Sequence, residues 1–477
     1  MIFKGYIFSV LYAALCLLIA LLAYKAGAPK KYSRKFVHIF VGAEWIILSY
    51  YMKATYHFLI VCLLFTLVLA IAHFKKLMPM ISSENDNGPG TVYYGVAMSI
   101  MAAVCLFLPD MMLPFGIGVF CTSFGDGFAG VFGQLVKKCN PKVYKNKSLV
   151  GSLANLVFST ASAFVISSAY SMGLKLWQCI MIGLFSVGLE LITVFGFDNI
   201  TITLGCAFLA YGFMHFPLIN SYIIPIVITP LIIAAVVEKK VLTRWGLILA
   251  LMLDAVVSLT LGNFGLVMLV AFLFGSVAID KIKKTRKTAD TVTKKGECRD
   301  TVQVLANGLI PMLMALLYSG TGNFAFIAGY IASLTEAFAD TAASGVGSLS
   351  KNVIDIAKMK KIKPGLSGGV SLIGTLASLF GAALIALVPF AFGIRSLSIY
   401  IIVVLSAFCG VIFDSLLGSL LQVKYKCSVC SELTEREVHC KKRTVKYCGF
   451  EFFDNDIVNL LSSLFASVMA MLWISLA

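Results

Sequence analysis

The chain has 477 residues, 59% hydrophobic and 13% charged, about half the charge of an ordinary soluble domain at roughly 25%, which excludes a water-soluble fold. The net charge of +16 does not indicate nucleic acid, because the basic residues flank apolar runs as they do in membrane proteins. The 13 cysteines fall mostly in or beside those runs and show no pairing pattern, so a disulfide framework is excluded as well.

The apolar runs approach the ~20 residues needed to cross about 30 Å of hydrocarbon as a helix. They predict an all-α, polytopic membrane helix bundle of about sixteen transmembrane helices, near residues 5–24, 36–52, 56–73, 91–108, 112–131, 149–170, 177–196, 201–213, 218–237, 245–261, 264–280, 302–319, 323–341, 366–391, 397–421 and 457–476. The first run has little basic charge before it beyond Lys4 and no small-residue cleavage site, so it reads as a span and not as a removable signal. All but four (Lys4, Lys53, Lys175 and Arg395) of the 39 Lys and Arg residues fall in alternate loops. By the positive-inside rule those loops are cytoplasmic and both termini lie outside, in the cell membrane if the source is prokaryotic. The charged stretch from Glu238 to Arg244 separates nine spans from seven, which predicts two fused helical domains, 1–239 and 240–477. No Pro/Gly/Ser linker joins them, and no internal repeat stands out at a fixed period.

A polar residue within a membrane helix is expensive, about 2.5–3.5 kcal/mol for Asp, Lys or Arg at its centre, and needs a reason. Span 2 opens with Arg34, Lys35, His38 and Gly42, with Arg34, His38 and Gly42 on one helix face. Span 5 ends in Ser123, Gly125, Asp126, Gly127, Gly130 and Gly133, a segment that lets backbone approach a ligand while Asp126 is placed to hold a divalent cation. Then come Lys137, Lys138, Lys142, Lys145, Lys147, Ser148, Gly151 and Ser152, whose chemistry suits phosphate oxygens at a helix start with free amides. Glu190, Asp198 and Asn199 offer the oxygen ligands that suit Mg²⁺. Singly, each has a plainer reading as a topology signal or a helix-packing glycine.

Together, Arg34-Lys35-x-x-His38-x-x-x-Gly42, Gly90-Thr91-x-Tyr93-Tyr94, Gly125-Asp126-Gly127-Phe128-Ala129, Lys147-Ser148-x-x-Gly151-Ser152 and Asp198-Asn199 resemble the phytol kinase and dolichol kinase family. That family includes CTP-dependent diacylglycerol kinase and is related to phosphatidate cytidylyltransferase. The resemblance covers about residues 30–235. It implies phosphoryl transfer from a nucleoside triphosphate, usually CTP, to a long-chain isoprenoid alcohol, by metal-assisted positioning and charge neutralisation.

In the second half, Arg299, Gln303 and Asn307 form a donor stripe on one face of span 12, and Glu336 and Asp340 lie one turn apart in span 13, close enough to share a proton or a metal ion. A basic, glycine-rich entry to span 14 follows, with Pro364, Gly365, Gly368, Gly369 and Gly374, able to cradle phosphate. Asp414 and Ser415 lie within span 15, and Asp454, Asn455, Asp456 and Asn459 at the mouth of span 16. The motifs Arg299-x-x-x-Gln303-Val304-x-x-Asn307-Gly308, Asp340-Thr341-x-x-Ser344-x-x-Gly347, Pro364-Gly365-x-x-Gly368-Gly369-Val370, Asp414-Ser415-x-x-Gly418 and Asp454-Asn455-x-x-Val458-Asn459 resemble the transmembrane-protein-19-like family, formerly a domain of unknown function, to which plant phytyl-phosphate kinase belongs. Where that family usually carries Trp and Glu, this chain has Ala342 and Gly345. The missing carboxylate puts metal binding in question, unless Glu336 supplies it from upstream.

Cys427-x-x-Cys430, His439-Cys440 and Cys448, in the last basic loop (422–456), have a spacing able to bind Zn²⁺, with Cys427, Cys430, Cys440 and Cys448 as thiolate ligands. Such a closed site would pin the loop beside Asp454 and would not catalyse.

The two resemblances together imply a bifunctional lipid kinase with CTP and Mg²⁺. An isoprenoid alcohol such as phytol, geranylgeraniol or a polyprenol becomes its monophosphate in the first half, and the monophosphate becomes the diphosphate in the second. The candidates for catalysis are Asp126, Lys147, His38, Asp340 and Asp414. Candidates for nucleotide or phosphate binding are Arg34, Lys35, Gly125, Gly127, Ser148, Gly151, Ser152, Arg299, Gln303, Asn307, Gly365, Gly368 and Gly369. Those for Mg²⁺ are Asp126, Glu190, Asp198, Asn199, Glu336, Asp340, Asp414, Asp454, Asn455 and Asn459. Two other readings stay open. One is cytidylyl transfer to a lipid phosphate, separated from a kinase by its products. The other is transport, against which the clustering of acids at one face argues.

Overall fold

A computed structural model describes residues 2–53, 55–75, 77, 90–136, 140–144, 147–193, 196–285, 298–440 and 442–476. Lys137, Lys138 and Lys145 lie outside them. The chain divides into two compact units, Met1–Lys239 and Lys240–Ala477.

The first unit contains α1 (Ile2–Lys25), α2 (Lys30–Phe40), α3 (Glu44–Tyr51), α4 (Tyr56–Phe74), α5 (Gly90–Phe107), α6 (Met112–Phe120) and α7 (Gly127–Leu135), then the hairpin β1 (Lys142–Tyr144) and β2 (Lys147–Ser148), then α8 (Leu149–Ala169), α9 (Leu176–Ile192), α10 (Asp198–His215) and α11 (Ile223–Glu238). Its core gathers Trp45, Phe58, Met101, Phe115 and Ile182, all fully buried. Lipid gives helices no hydrophobic reason to associate, so close packing on small residues must do it. Accordingly, the Trp45 ring lies where a Cβ on Gly116 would stand. Leu11, Leu15, Leu18 and Leu22 of α1 and Leu63, Leu64 and Leu67 of α4 face outward, as lipid-facing positions should.

The second unit contains α12 (Arg244–Thr285), α13 (Thr301–Thr321), α14 (Phe324–Gly347), the hairpin β3 (Ile354–Asp355) and β4 (Gly369–Val370), α15 (Leu372–Ile385) and α16 (Leu397–Leu420). The strands β5 (Lys424–Lys426), β6 (Leu433–Thr434), β7 (Val438–His439), β8 (Lys442–Arg443) and β9 (Val445–Cys448) follow, and α17 (Asn455–Leu476) ends the unit. Strands β6, β5 and β9 form one small antiparallel sheet, and β7 pairs with β8. Helix α14 is the central element, packed against α12, α13, α15, α16 and α17, with buried residues on every side along its length. It therefore places Asp340, near its C-terminal end, among its neighbours. Helix α12 joins the two expected spans 245–261 and 264–280 through Gly262, whose φ of 58° and ψ of −140° suit only a residue without Cβ.

The protein is a polytopic helical membrane protein. Among the described residues, ten helices are long and apolar enough to cross a membrane, against about sixteen expected. The difference has local causes. A 3₁₀ turn at Val41–Ala43 breaks the second expected span into α2 and α3, α9 and α11 are shorter at 17 and 16 residues, α12 merges two spans, and α10 and α14, at 18 and 24 residues, are long enough but too polar.

Candidate functional site

In the first unit the site forms where the helix beginning at α6 widens into a single π-type turn over Cys121–Asp126 before continuing as α7, a distortion common at functional sites. Gly125 permits it, since a Cβ there would collide with the Ser159 hydroxyl and Asn155 Oδ1. The turn presents two carbonyls to α2. His38 Nε2 is 3.0 Å from the Thr122 carbonyl oxygen and 3.4 Å from Asp126 Oδ2. Lys35 Nζ donates to the Asp126 carbonyl at 3.2 Å and to Asp126 Oδ2 at 3.3 Å. Lys35 reaches Asp126 by passing over Gly130, where a Cβ would strike Lys35 Cε and Nζ. Gly130→Ala is therefore expected to push Lys35 off Asp126 and destabilise the first unit by about 1.5 kcal/mol, the net worth of one charge-assisted bond; an unchanged melting temperature would show that the Lys35 contact is dispensable.

Lys147, at the start of β2, sits among three carboxylates from three different elements. Its Nζ lies 2.9 Å from Glu190 Oε1, 3.5 Å from Asp198 Oδ2 and 3.9 Å from Asp126 Oδ1. Burial works against its charge, but Glu190, Asp126 and Asp198 outweigh it and hold the ammonium above its ordinary range. Glu190 is fixed from the other side by Asn155, whose Nδ2 donates to Oε2 at 2.6 Å, and Asn155 Oδ1 accepts from Ser159 and Ser186, both at 2.8 Å.

Ser148 caps α8 by accepting from the Gly151 amide at 3.3 Å, so the expected phosphate-binding serine already has an N-cap role. The Ser152 hydroxyl in the first turn is buried and has no hydrogen-bond partner among the described residues. Asn199 is committed to structure, with Nδ2 donating to the Gly90 and Gly196 carbonyls at 3.1 and 3.2 Å. Arg34, half-buried one turn before His38, has no ion-pair or hydrogen-bond partner among the described residues. Gly127 lies against Ile39 and His38, bringing α7 close to α2.

The second unit has a cavity of about 740 Å³ lined by Arg299, Gln303, Asn307, Asp340, Gly365, Gly368, Gly369, Asp414, Asp454, Asn455 and Asn459, so the expected donors, glycines and acids converge on one space. Several have structural duties as well. Gln303 Oε1 accepts from the Asp300 amide in a capping box at the start of α13, Asn307 Nδ2 donates to the Gln303 carbonyl at 2.9 Å, and Asp454 Oδ1 accepts from the Asp456 and Ile457 amides at 3.1 and 3.2 Å at the start of α17. Arg299 pairs with Asp280 at 3.4 Å, and burial lowers its affinity for the proton. Asp414 Oδ2 accepts from Ser462 at 3.3 Å. Among the described residues, no Lys or Arg lies within ion-pair distance of Asp340 or Asp414.

Glu336 does not line the cavity. It is 1% exposed, its Oε1 has no hydrogen-bond partner among the described residues, and its stem fills the place of a Cβ on Gly410. Gly345 faces away from the acids, and a Cβ there would collide with Ile279 of α12. The carboxylate missing at this position is thus replaced by a close helix contact. Gly345→Glu is expected to destabilise the unit by about 1–3 kcal/mol through overpacking and to leave the Mg²⁺ dependence of melting unchanged; a stable variant with tighter Mg²⁺ binding would reverse this assignment.

In the cysteine loop the structure brings together Cys427, Cys430, His439 and Cys440, with ligand atoms all within 4.8 Å of one another. Cys448 is not among them. It lies on β9 opposite Lys424, where the β5–β9 ladder holds it away from the turns, and His439 stands in its place. The amides of Cys430 and Val429, aimed at the Cys427 sulfur, pull its thiol down to about 6.

The two units repeat one local plan that residue spacing alone did not disclose. Asp126 and Asp340 each precede a glycine by seven residues, Gly133 and Gly347. A Cβ on Gly133 would lie 2.9 Å from Ser148 Oγ and 3.5 Å from Gly151 Cα, and a Cβ on Gly347 would lie 3.3 Å from Ser371 Oγ and 3.2 Å from Gly374 Cα. Ser148 ends the second strand of a hairpin and Ser371 directly follows one, and each caps the next helix. The helix after that carries Glu190 in one unit and Asp414 in the other, and the next begins at Asp198 within Asp198-Asn199 or at Asn455 within Asp454-Asn455. The difference is charge. Lys147 precedes Ser148, whereas Val370 precedes Ser371.

Residues 227–467 match the family described as integral membrane protein DUF92, and the chain belongs to it. The uncharacterized membrane protein sll0875 of Synechocystis sp. is 29% identical over 222 residues, 46% of this chain and 83% of that protein. Phytol kinase of Synechocystis sp. is 24% identical over 190 residues, 39% of this chain and 80% of the kinase. Protein VTE6, chloroplastic, of Arabidopsis thaliana is 24% identical over 260 residues, 53% of this chain and 69% of that protein. No solved structure matches the chain.

Proposed function

We propose that the chain is a bifunctional membrane kinase that phosphorylates an isoprenoid alcohol in its first unit and the resulting monophosphate in its second, with CTP or another nucleoside triphosphate as donor. The observation that carries this reading is the cluster around Asp126, where Lys35, His38 and Lys147 meet carboxylates beside the capped start of α8. A phytol kinase among the relatives supports the reaction class.

In the first transfer the alcohol oxygen forms a bond to the terminal phosphorus, its proton passes to a carboxylate of the cluster, the bond to the bridging oxygen breaks, and the nucleoside diphosphate leaves; in the second an already ionised phosphate oxygen of the monophosphate makes the same attack, with no acceptor proton to remove. The transition state asks chiefly for positioning and positive charge. Lys35 and Lys147 supply that charge in the first unit, while the α8 amides and the Ser152 hydroxyl receive phosphate oxygens. In the second unit Arg299 and the Gly365–Gly369 segment receive the nucleotide phosphates and the lipid phosphate.

The residues of the second unit fit Mg²⁺, because Asp340 and Asp414 face the cavity with no Lys or Arg in ion-pair distance among the described residues. Asp340 and Asp414 would hold the ion, with Asp454 and Asn459 nearby. When bound, it neutralises phosphate oxygens in the transition state. Basic loops from both units would keep nucleotide and monophosphate near the sites.

The test is to incubate the purified full chain in lipid or detergent with CTP, Mg²⁺ and phytol or geranylgeraniol and to identify the lipid products by mass spectrometry. Diphosphate is expected. Monophosphate alone would remove the second activity, a CDP-linked lipid would replace kinase with cytidylyl transfer, and no product across alcohols and nucleotides would overturn the reading.

A further inference from the structure

The turn between β5 and β6 carries Cys427 and Cys430, while His439 ends β7 and Cys440 opens the turn to β8. The two turns face each other. Cys430 Sγ and Cys440 Sγ lie 3.5 and 3.3 Å from His439 Nδ1, and Cys427 Sγ lies 3.8 Å from the His439 carbonyl oxygen. A tetrahedral zinc with bonds of about 2.0–2.3 Å to nitrogen and sulfur sets its ligand atoms roughly 3.3–3.8 Å apart, close to the spacing seen. None of the four cysteines in the loop is in a disulfide. A loop with only short strands of two to four residues has little core of its own, the circumstance in which small modules rely on a metal.

We propose that Cys427, Cys430, His439 and Cys440 bind one structural zinc ion that holds the cysteine loop in register with the cavity of the second unit. Four protein ligands close the coordination sphere, so the ion has no open position for chemistry.

Its effect is carried by the residues just after β6. Glu435 Oε1 accepts from the Ser367 amide at 3.0 Å and also from the Ser367 hydroxyl, while Lys424 Nζ donates to the Ser367 carbonyl at 2.8 Å. Lys363 pairs with Glu432 at 2.8 Å. Every polar group of Ser367 is thus held by the loop, and Ser367, Gly368, Glu435 and Arg436 line the cavity. Gly368, at φ +83° with Ser419 where its Cβ would be, follows wherever Ser367 is placed. The metal site therefore sets the glycine segment from outside the membrane helices.

The experiment measures metal content of the purified full chain by mass spectrometry, together with hydrogen exchange over 363–371 and 424–450. About one zinc per chain is expected, lost in Cys430→Ser and His439→Ala and kept in Cys448→Ala. Because a ligand variant can misfold, the wild-type chain is also stripped with a chelator and reloaded with Co²⁺. The visible spectrum of tetrahedral cobalt thiolate should appear, and exchange at 363–371 should rise on stripping and fall on reloading. Stoichiometric zinc lost in Cys448→Ala and kept in His439→Ala would overturn the ligand set. A metal-free chain, with no cobalt spectrum and with Cys430 and Cys440 alkylated at the rate of free thiols, would overturn the site. Exchange at 363–371 that ignores the metal would overturn its link to the cavity. None of these readouts depends on turnover, so the result stands apart from the kinase reading.

Discussion

Lys147→Met is expected to slow the first phosphorylation by roughly 10²–10³-fold and to destabilise the first unit, whereas Lys147→Arg should retain most of the stability and a fraction of the activity. Among the described residues, Lys147 is the one cation within 4 Å of carboxylate oxygens on Glu190, Asp198 and Asp126 together. Removing one partner of a buried ion pair costs about 3–5 kcal/mol, since the remaining charge is left uncompensated. With its side chain 31% exposed, Lys147 belongs at the lower end. The catalytic effect should be larger, because the same ammonium faces the start of α8, and losing one preorganised charge donor typically lowers kcat by roughly 10²–10³-fold. Its proton affinity is raised, so the contribution of these pairs is complete at neutral pH and is lost only as pH rises through that elevated value. An alkaline limb near pH 8 would therefore have another source. Product analysis with the alcohol as substrate and thermal melting in detergent check both parts; wild-type turnover in the Met variant would remove Lys147 from the site.

Much of this arrangement is legible in the sequence, and the parts that are not have identifiable physical reasons. Apolar runs and cap residues mark the helices, because length and end chemistry are local properties. Asp126, Lys147 and Asp340 stand out because charge at a membrane helix end needs a reason. The π-type turn at Cys121–Asp126 is invisible, since only the approach of Ser159 and Asn155 to Gly125 explains why the helix widens there. The capping duties of Gln303 and Asp454 could have been read, as Asp300-x-x-Gln303 has capping-box spacing. The opposition of Gly345 to Ile279 could not, because it depends on how α14 lies against α12. His439 in place of Cys448 follows from which turns face each other, and a count of cysteines cannot show that. The repeated plan escapes a search for self-similarity because it is kept in a few Asp, Ser and Gly positions while the helix bodies differ.

That shared plan, with its one difference in charge, makes Asp340→Asn the most informative change in the second unit. In the first unit Lys35 and Lys147 offset the acids, and its fold contains its own counterions. In the second, Asp340 and Asp414 face the same cavity without such a partner among the described residues, so keeping both ionised is costly until a cation arrives. The amide is nearly isosteric and removes one charge. Asp340→Asn should therefore melt higher than the wild type in a chelator, yet lose the second phosphorylation by at least about 10²-fold. Wild-type stability should rise with Mg²⁺, by about 1.4 kcal/mol at ten times the dissociation constant, and this rise should shrink or vanish in the variant. The first phosphorylation, measured by monophosphate formed from the alcohol, should be unchanged, because Asp126 and its partners are all within the first unit. A variant that keeps the full Mg²⁺ shift and still makes diphosphate would place the metal elsewhere. One that loses both phosphorylations at once would mean that the two sites do not act independently.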